Sequence, residues 1–170
     1  ALASLRDPET YDLLKRRIVR FPWQSSAYRA YEAVKDLPGI DLSKEVAAAW
    51  EIARWSAMDD TDVCAAIAMA LPFGRRDALD EAFRLLLGPD AERLNESELS
   101  PRLLIQRFTD ARGTDAEMQR WWKENGGKLV FDSTRGRFVA GSGESRDLGE
   151  TSRPAAEARL SARPAWLRAE

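Results

Sequence analysis

The 170-residue sequence contains no histidine and only one cysteine, Cys64. The absence of histidine removes the commonest general base, the usual Ser-His and Cys-His nucleophile systems and the commonest transition-metal ligand. A single cysteine excludes an internal disulfide, and the apolar run Val63–Met69 around it predicts a small buried side chain. We therefore expect no catalytic activity and no cofactor, and we expect a reducing, cytoplasmic compartment.

The sequence also lacks an excess of charge and a long apolar run. Its 26 basic and 28 acidic residues leave a formal charge of −2, so no overall field favours nucleic acid or an anionic membrane. No window approaches the roughly 18 continuous apolar residues that span a bilayer. The start, Ala1–Leu5, has neither a methionine nor the plan of a signal peptide, so we expect a processed product or a piece of a longer chain.

Proline, glycine and capping residues divide the sequence into seven predicted helices. Ser25 or Ser26 is expected to cap the second helix, Ser100 precedes a proline at the start of the sixth, and Thr114 with Glu117 forms a capping box for the seventh. The predicted helices cover about residues 8–20, 26–36, 44–57, 62–71, 75–87, 101–111 and 115–125.

After the helices the hydrophobic period changes. Residues 128–131 and 137–139 are short β-favouring runs on either side of 132–136, which predicts a small hairpin. A hairpin alone is marginal in water, so we expect it to pack on the helices.

The last thirty residues have a different composition. Residues 141–163 are rich in Gly, Ser, Glu, Arg, Pro and Ala, which predicts a segment without its own fold. We therefore divide the chain into a helical domain, residues 1–140, and a flexible tail, residues 141–170. Trp166 and Leu167 stand out in this tail as a short docking motif at 165–168, for the same chain or for a partner.

The helix starts suggest a repeat. Pairing the second helix with the third, the fourth with the fifth and the sixth with the seventh places pair starts near 26, 62 and 101, about 36 and 39 residues apart. Two-helix repeats of this length stack into an α-solenoid, here with the first helix as one cap and the hairpin as the other. A compact, non-repeating helical bundle is the alternative.

The middle repeat has an acidic turn at Asp60-Thr61-Asp62, an alanine-rich helix ending in Ala70-Leu71-Pro72, and a leucine-rich helix over 77–87. This pattern resembles HEAT-type repeats. The stretches Trp121–Asn125, Leu129–Asp132 and Gly136–Phe138 are similar to the end of some bacterial HEAT-like proteins. The resemblance covers about residues 43–139. It implies an all-α repeat protein that binds other proteins as a scaffold.

Two pairs of arginines are candidates for partner binding. Arg16 and Arg20 are one turn apart on the first helix, opposite its leucines, so they share a face that could meet phosphate or an acidic partner. Arg75 and Arg76 lie at a helix start, where the helix dipole disfavours cations, so a compensating partner is expected there.

Three of the six tryptophans are also candidates. Trp50 and Trp55 are about 140° apart on one helix, so Trp55 need not point into the core. Trp121 and Trp122 are adjacent, so one of them is expected near the surface, and we select Trp121. Trp166, followed by Leu167, is the third.

These observations predict a non-catalytic protein-binding module, a scaffold or adaptor in a larger bacterial assembly. The first alternative is a helical nucleic-acid-associated subunit that uses the basic face of the first helix. The second is a carboxylate enzyme with a metal ion at Asp59, Asp60 and Asp62, although acids at a helix start are explained by the helix dipole alone.

Overall fold

The computed structural model describes residues 8–55, 60–94 and 97–141 of the chain. These residues form eight α-helices and one antiparallel hairpin, which confirms a mainly helical protein with a small hairpin near its C-terminal end. None of the helices in these ranges has the length and apolar character to cross a bilayer. The elements are α1 (Pro8–Arg20), α2 (Ser25–Val34), α3 (Ser43–Trp55), α4 (Asp60–Ala70), α5 (Arg76–Leu86), α6 (Ala91–Leu94), α7 (Pro101–Phe108), α8 (Asp115–Asn125), β1 (Leu129–Asp132) and β2 (Arg137–Ala140).

Two of the predicted helix caps form as expected. The Thr114 hydroxyl accepts a hydrogen bond from the backbone N–H of Glu117, and the Glu117 carboxylate accepts one from the backbone N–H of Thr114. The Ser100 hydroxyl caps α7, with Pro101 as the first helical residue. Each cap satisfies backbone donors that a helix start otherwise leaves without a partner.

The start of α2 differs from the prediction. Gln24 is the N-cap residue, and neither Ser25 nor Ser26 caps the helix. The Ser26 hydroxyl instead accepts hydrogen bonds from the guanidinium of Arg17 on α1, at 2.9 and 3.1 Å. Ser26 therefore links α1 to α2.

The predicted helix over 101–111 is three residues too long, because α7 ends at Phe108. The buried Thr109 has an extended backbone; its hydroxyl donates to the carbonyl of Ile105 and accepts from the N–H of Ala111. These local bonds replace the next helical turn. The single-turn helix α6 was not predicted, since four residues are too few for a hydrophobic period.

The helices pack in pairs that agree only in part with those expected from the sequence: α4 contacts α5 as expected, but the other two expected pairs are not among the main contacts. The main contacts join α1 to α2 and α3 to α4; α1 also lies on α3, and α2 on α4. Thus α1 belongs to a pair and is not a solitary cap, and α2 does not pair with α3. The helix α5 packs against both α4 and α7.

The helix α4 lies at the centre of this arrangement. Every residue from Val63 to Ala70 is buried, so α4 has no solvent face over this length. A helix that is apolar all round must be covered on every side. The alanines of α4 allow α2, α3 and α5 to approach its backbone closely.

The hairpin packs against the helices at two places. Phe138 is buried, and the Arg137 guanidinium binds the carbonyl of Thr109 and the carboxylate of Asp110, just after α7. The Phe131 ring lies against Gly74. This position favours glycine because its φ is +72° and because a Cβ there would lie only 2.7 Å from the Phe131 ring. The hairpin is thus tied to α7 and to the turn after α4.

The burial of α4 makes a testable prediction. Ala66 is 2% exposed, so Ala66→Trp should overpack the core and lower the free energy of unfolding by about 1–3 kcal/mol. Ala48→Trp on the exposed side of α3 is the matched control and should change it by less than about 0.5 kcal/mol. Urea unfolding followed by circular dichroism measures both. Equal stability of the two variants would show that α4 is not enclosed.

Candidate functional site

The candidate arginines of α1 lie on an exposed surface of mixed charge. Arg16 and Arg20 flank a shallow depression that also contains Asp12 and Glu45. Lys15, in the same depression, forms an ion pair with Glu45 at 3.4 Å. Carboxylates therefore offset part of the positive charge predicted for this face.

Arg75 forms ion pairs with carboxylates of its own chain. Its guanidinium donates to both carboxylate oxygens of Asp77, at 3.0 and 2.9 Å, and to Glu51 at 2.8 Å. Asp77 also accepts hydrogen bonds from the indole N–H of Trp50 (2.8 Å) and from Arg54 (3.0 Å). The compensating partner expected for Arg75 is thus internal, and this cluster joins the start of α5 to α3.

The pKa of Asp77 reflects these contacts. Burial raises the pKa of this carboxyl, but the hydrogen bonds from Arg75 and Trp50 outweigh burial and lower it below its ordinary value. Asp77 is therefore ionised at neutral pH. Asp77 lies in the first turn of α5, where a carboxylate interacts favourably with the helix dipole. The nearby arginines alone would interact unfavourably with that dipole.

The remaining candidates lie apart from this cluster. Arg76 forms an ion pair with Asp80 at 2.9 Å and covers the ring of Trp122 at 4.9 Å. Trp121 and Trp122 are both half-buried and stack on Phe83, with ring centroids 6.3 and 4.0 Å away. Both rings therefore pack on the core.

Trp55 is half-buried at the end of α3, while Trp166 and Leu167 lie outside the described residues. The candidates predicted from the sequence do not converge: those that the structure describes are spread over α1, α3, the start of α5 and α8.

The acidic cluster at residues 59–62 is described only in part. Asp60 is the first residue of α4, and its carboxylate forms an ion pair with Arg84 on α5 at 3.0 Å. Asp59 and the side chain of Asp62 lie outside the described residues. Within the described ranges, no three side chains of the metal-binding types come together.

A concave site that joins several elements lies between α2 and α7. Its volume is about 460 Å³, within the range of about 300–1,000 Å³ that is typical of ligand sites. One wall is α2 with the loop that follows it, the other is α7 with the hairpin turn, and Ala68 of α4 with the turn at Pro72 and Phe73 forms the floor. We call this site the α2–α7 groove.

Aromatic side chains line much of this groove. Tyr28 and Tyr31 are one turn apart on α2, with ring centroids 6.2 Å apart, and the ring of Phe73 is 6.4 Å from Tyr31. Phe108 adds a further ring from α7. Phe73 is 39% exposed, so part of its ring is open to a partner.

The two walls of the groove carry opposite charge. The α2 wall carries three carboxylates and one ammonium, from Glu32, Asp36, Asp41 and Lys35. Lys35 lies 3.5 Å from both Glu32 and Asp36, so this wall keeps net negative charge.

The opposite wall carries two guanidinium groups, those of Arg107 and Arg135. Arg135 is 3.5 Å from Asp132, whereas no carboxylate among the described residues forms an ion pair with Arg107. The groove is therefore polarised from an acidic wall to a basic one.

The groove tyrosines are hydrogen-bond donors at neutral pH. Burial raises the pKa of Tyr31 to about 12. Burial and then Glu32 raise the pKa of Tyr28, while Arg107 acts in the opposite direction. On the same wall, the backbone N–H of Ser43 lowers the pKa of the Asp41 carboxyl, so that this group is ionised.

This groove is not among the sites predicted from the sequence. The available signal was Tyr28 and Tyr31 on one face of a helix that lacks the alanine-rich pattern of its neighbours. Arg107 and Arg135 gave no local signal, since they meet α2 only in the folded chain.

Comparison of the chain with protein-family models, with curated proteins and with solved structures finds no significant match. The similarity to HEAT-type repeats therefore stays a prediction based on the sequence.

The Asp77 cluster provides a test of the structure around Arg75. Asp77→Ala should lower the free energy of unfolding at pH 7 by about 2 kcal/mol, because it leaves the N–H of Trp50, a residue only 1% exposed, without its acceptor. Because the folded-state pKa is lowered, the contribution of Asp77 is present above its unfolded pKa of about 3.9 and is lost as pH falls below that value.

Urea unfolding at pH 7 and at pH 3 measures this effect, and the difference between wild type and Asp77→Ala should shrink at pH 3. Asp80→Ala is the control. Asp80 pairs with Arg76 on the surface, so its loss should cost less than about 1 kcal/mol. Equal costs for the two variants would contradict the role assigned to Asp77.

Proposed function

We propose that this protein is a non-catalytic protein-binding module, a scaffold or adaptor subunit, that receives a segment of its partner in the α2–α7 groove. The observation that carries the proposal is an open groove of about 460 Å³ with aromatic side chains between walls of opposite charge. An apolar side chain of the partner can be buried in such a groove, and charged groups on either side of that side chain can pair with the two walls.

The residue types in the groove support a protein partner. Tyrosine, phenylalanine and arginine are enriched at protein interfaces, and a few such residues usually provide most of the binding energy. Phe73 offers exposed ring surface at the floor, and Arg107 offers a guanidinium group without a described carboxylate partner. A partner segment with one apolar side chain and one nearby carboxylate can cover the Phe73 ring and form an ion pair with Arg107.

The proposed architecture is a short α-solenoid. The packing of the first four helices supports it: the pair α1–α2 stacks on the pair α3–α4, with α1 on α3 and α2 on α4. This is the contact pattern of consecutive two-helix repeats, in which each pair buries its apolar faces against the next. The helices α5 and α7 then continue the stack beyond α4.

The alternative partner is nucleic acid, bound by Arg16 and Arg20 on α1. It has less support, since Asp12 and Glu45 share that surface and Glu45 pairs with Lys15. Phosphate binding requires clustered cations with little opposing charge.

The proposal predicts which substitutions weaken partner binding. Tagged wild-type chain should enrich specific proteins from a lysate of the native host, and Phe73→Ala and Arg107→Glu should each reduce that enrichment by about tenfold, the effect of losing about 1.4 kcal/mol at a hot spot. Quantitative mass spectrometry measures the enrichment, and circular dichroism checks that the variants fold.

Two matched controls lie outside the groove. Leu87 is 39% exposed like Phe73, and Arg29 is exposed on α2 but does not line the groove, so Leu87→Ala and Arg29→Glu should bind as wild type. Enrichment that survives both groove variants contradicts the proposed site. Enrichment of nucleic acid that depends on Arg16 and Arg20 supports the alternative instead.

A further inference from the structure

The chemistry of the groove defines the segment that fits it. The floor and aromatic walls need an apolar anchor, the α2 wall needs a nearby cation, and the α7 wall needs a nearby carboxylate. This combination occurs in the chain itself, at the end of the sequence. The segment is Arg163-Pro164-Ala165-Trp166-Leu167-Arg168-Ala169-Glu170.

We propose that residues 163–170 of the same chain occupy the α2–α7 groove and compete there with a partner. The proposal rests on the proposed function, since it names an occupant for the same site. The segment lies outside the described residues, so its fit is argued from the groove and from the sequence. Trp166 and Leu167 are the apolar anchor that would cover Phe73 and the half-buried Tyr28.

Charge complementarity favours this occupant. Arg163 and Arg168 flank the Trp-Leu pair and match the net negative wall of Asp36 and Asp41. Glu170 follows the anchor and matches the opposite wall, where Arg107 has no ion-pair partner among the described residues. An occupant of a single charge type would instead meet like charges on one wall of the groove.

The connection is long enough to reach. Gly136, in the hairpin turn, lines the groove, and β2 carries the chain about 17 Å from Gly136 to Gly141. The 22 residues 142–163 extend at most about 75 Å. A random coil of 22 residues has a root-mean-square span of about 26 Å, which is of the same order as the distance from Gly136 to Gly141.

This length also makes the contact competitive. A linker whose average span matches the distance gives a local concentration of its segment in the millimolar range. A segment with only micromolar intrinsic affinity would then occupy the groove most of the time, and a partner must displace it.

The test uses a fluorescein-labelled peptide of residues 160–170 and the full-length chain. Fluorescence anisotropy should show saturable binding of the peptide to the full chain carrying Trp166→Ala and Leu167→Ala, whose own segment lacks the anchor. Wild-type chain should bind the peptide about tenfold or more weakly, because its own segment competes. A peptide with both anchor residues replaced by alanine should not bind.

Further variants locate the site. In the chain with the altered tail, Phe73→Ala and Arg107→Glu should weaken peptide binding by about tenfold each, whereas Leu87→Ala and Arg29→Glu should leave it unchanged. Absence of saturable binding overturns the proposal, and so does binding that ignores the groove variants. A concentration-dependent dimer in light scattering that the tail substitution abolishes also overturns it, in favour of exchange of the segment between two copies.

Failure of this inference is distinguishable from failure of the proposed function. If the peptide does not bind but protein capture still depends on Phe73 and Arg107, only the self-docking proposal is wrong. If capture is also independent of the groove, both proposals are wrong.

Discussion

The complete burial of α4 is the constraint on which the rest of the structure depends. An apolar helix without a solvent face exists only if other elements surround it, so α2, α3 and α5 must all pack against it. The small side chains of α4 determine how closely α2, α3 and α5 approach its backbone. Ala68 also lines the groove between α2 and α7. The enclosure of α4 and the lining of the groove thus share a residue.

The Asp77 carboxylate connects this core to the polar surface. It accepts hydrogen bonds from a buried indole and from two arginines on different elements, so it fixes the start of α5 against α3. A cation at a helix start opposes the helix dipole, and here Asp77 and Glu51 offset that cost. The position of α5 matters for the site because α7, the basic wall of the groove, packs on α5.

Local signals were readable from the sequence, whereas non-local ones were not. The capping box at Thr114 and the hairpin turn depend on residues within a few positions of each other, and both were predicted. The early end of α7 depends on one buried hydroxyl, that of Thr109, which the hydrophobic period does not reveal. The helix pairing depends on which apolar faces meet across the fold. Spacing along the chain does not show which faces meet, so it predicted the contact of α4 with α5 but not the pairing of α1 with α2.

The same distinction explains why the candidate arginines were found and the groove was not. Arg16 and Arg20 form a pattern within one helix, whereas the groove joins α2, the turn after α4, α7 and the hairpin, whose lining residues run from Tyr28 to Gly136 along the chain. The hairpin is essential to that junction. Phe131 occupies the space beside Gly74 that any larger residue would need, so β1 is held against the turn that presents Phe73. Arg137 holds β2 to the end of α7 at Thr109 and Asp110. With both strands held, the turn between them brings Arg135 to the mouth of the groove. An element that the sequence predicted only as a cap thus contributes part of the basic wall.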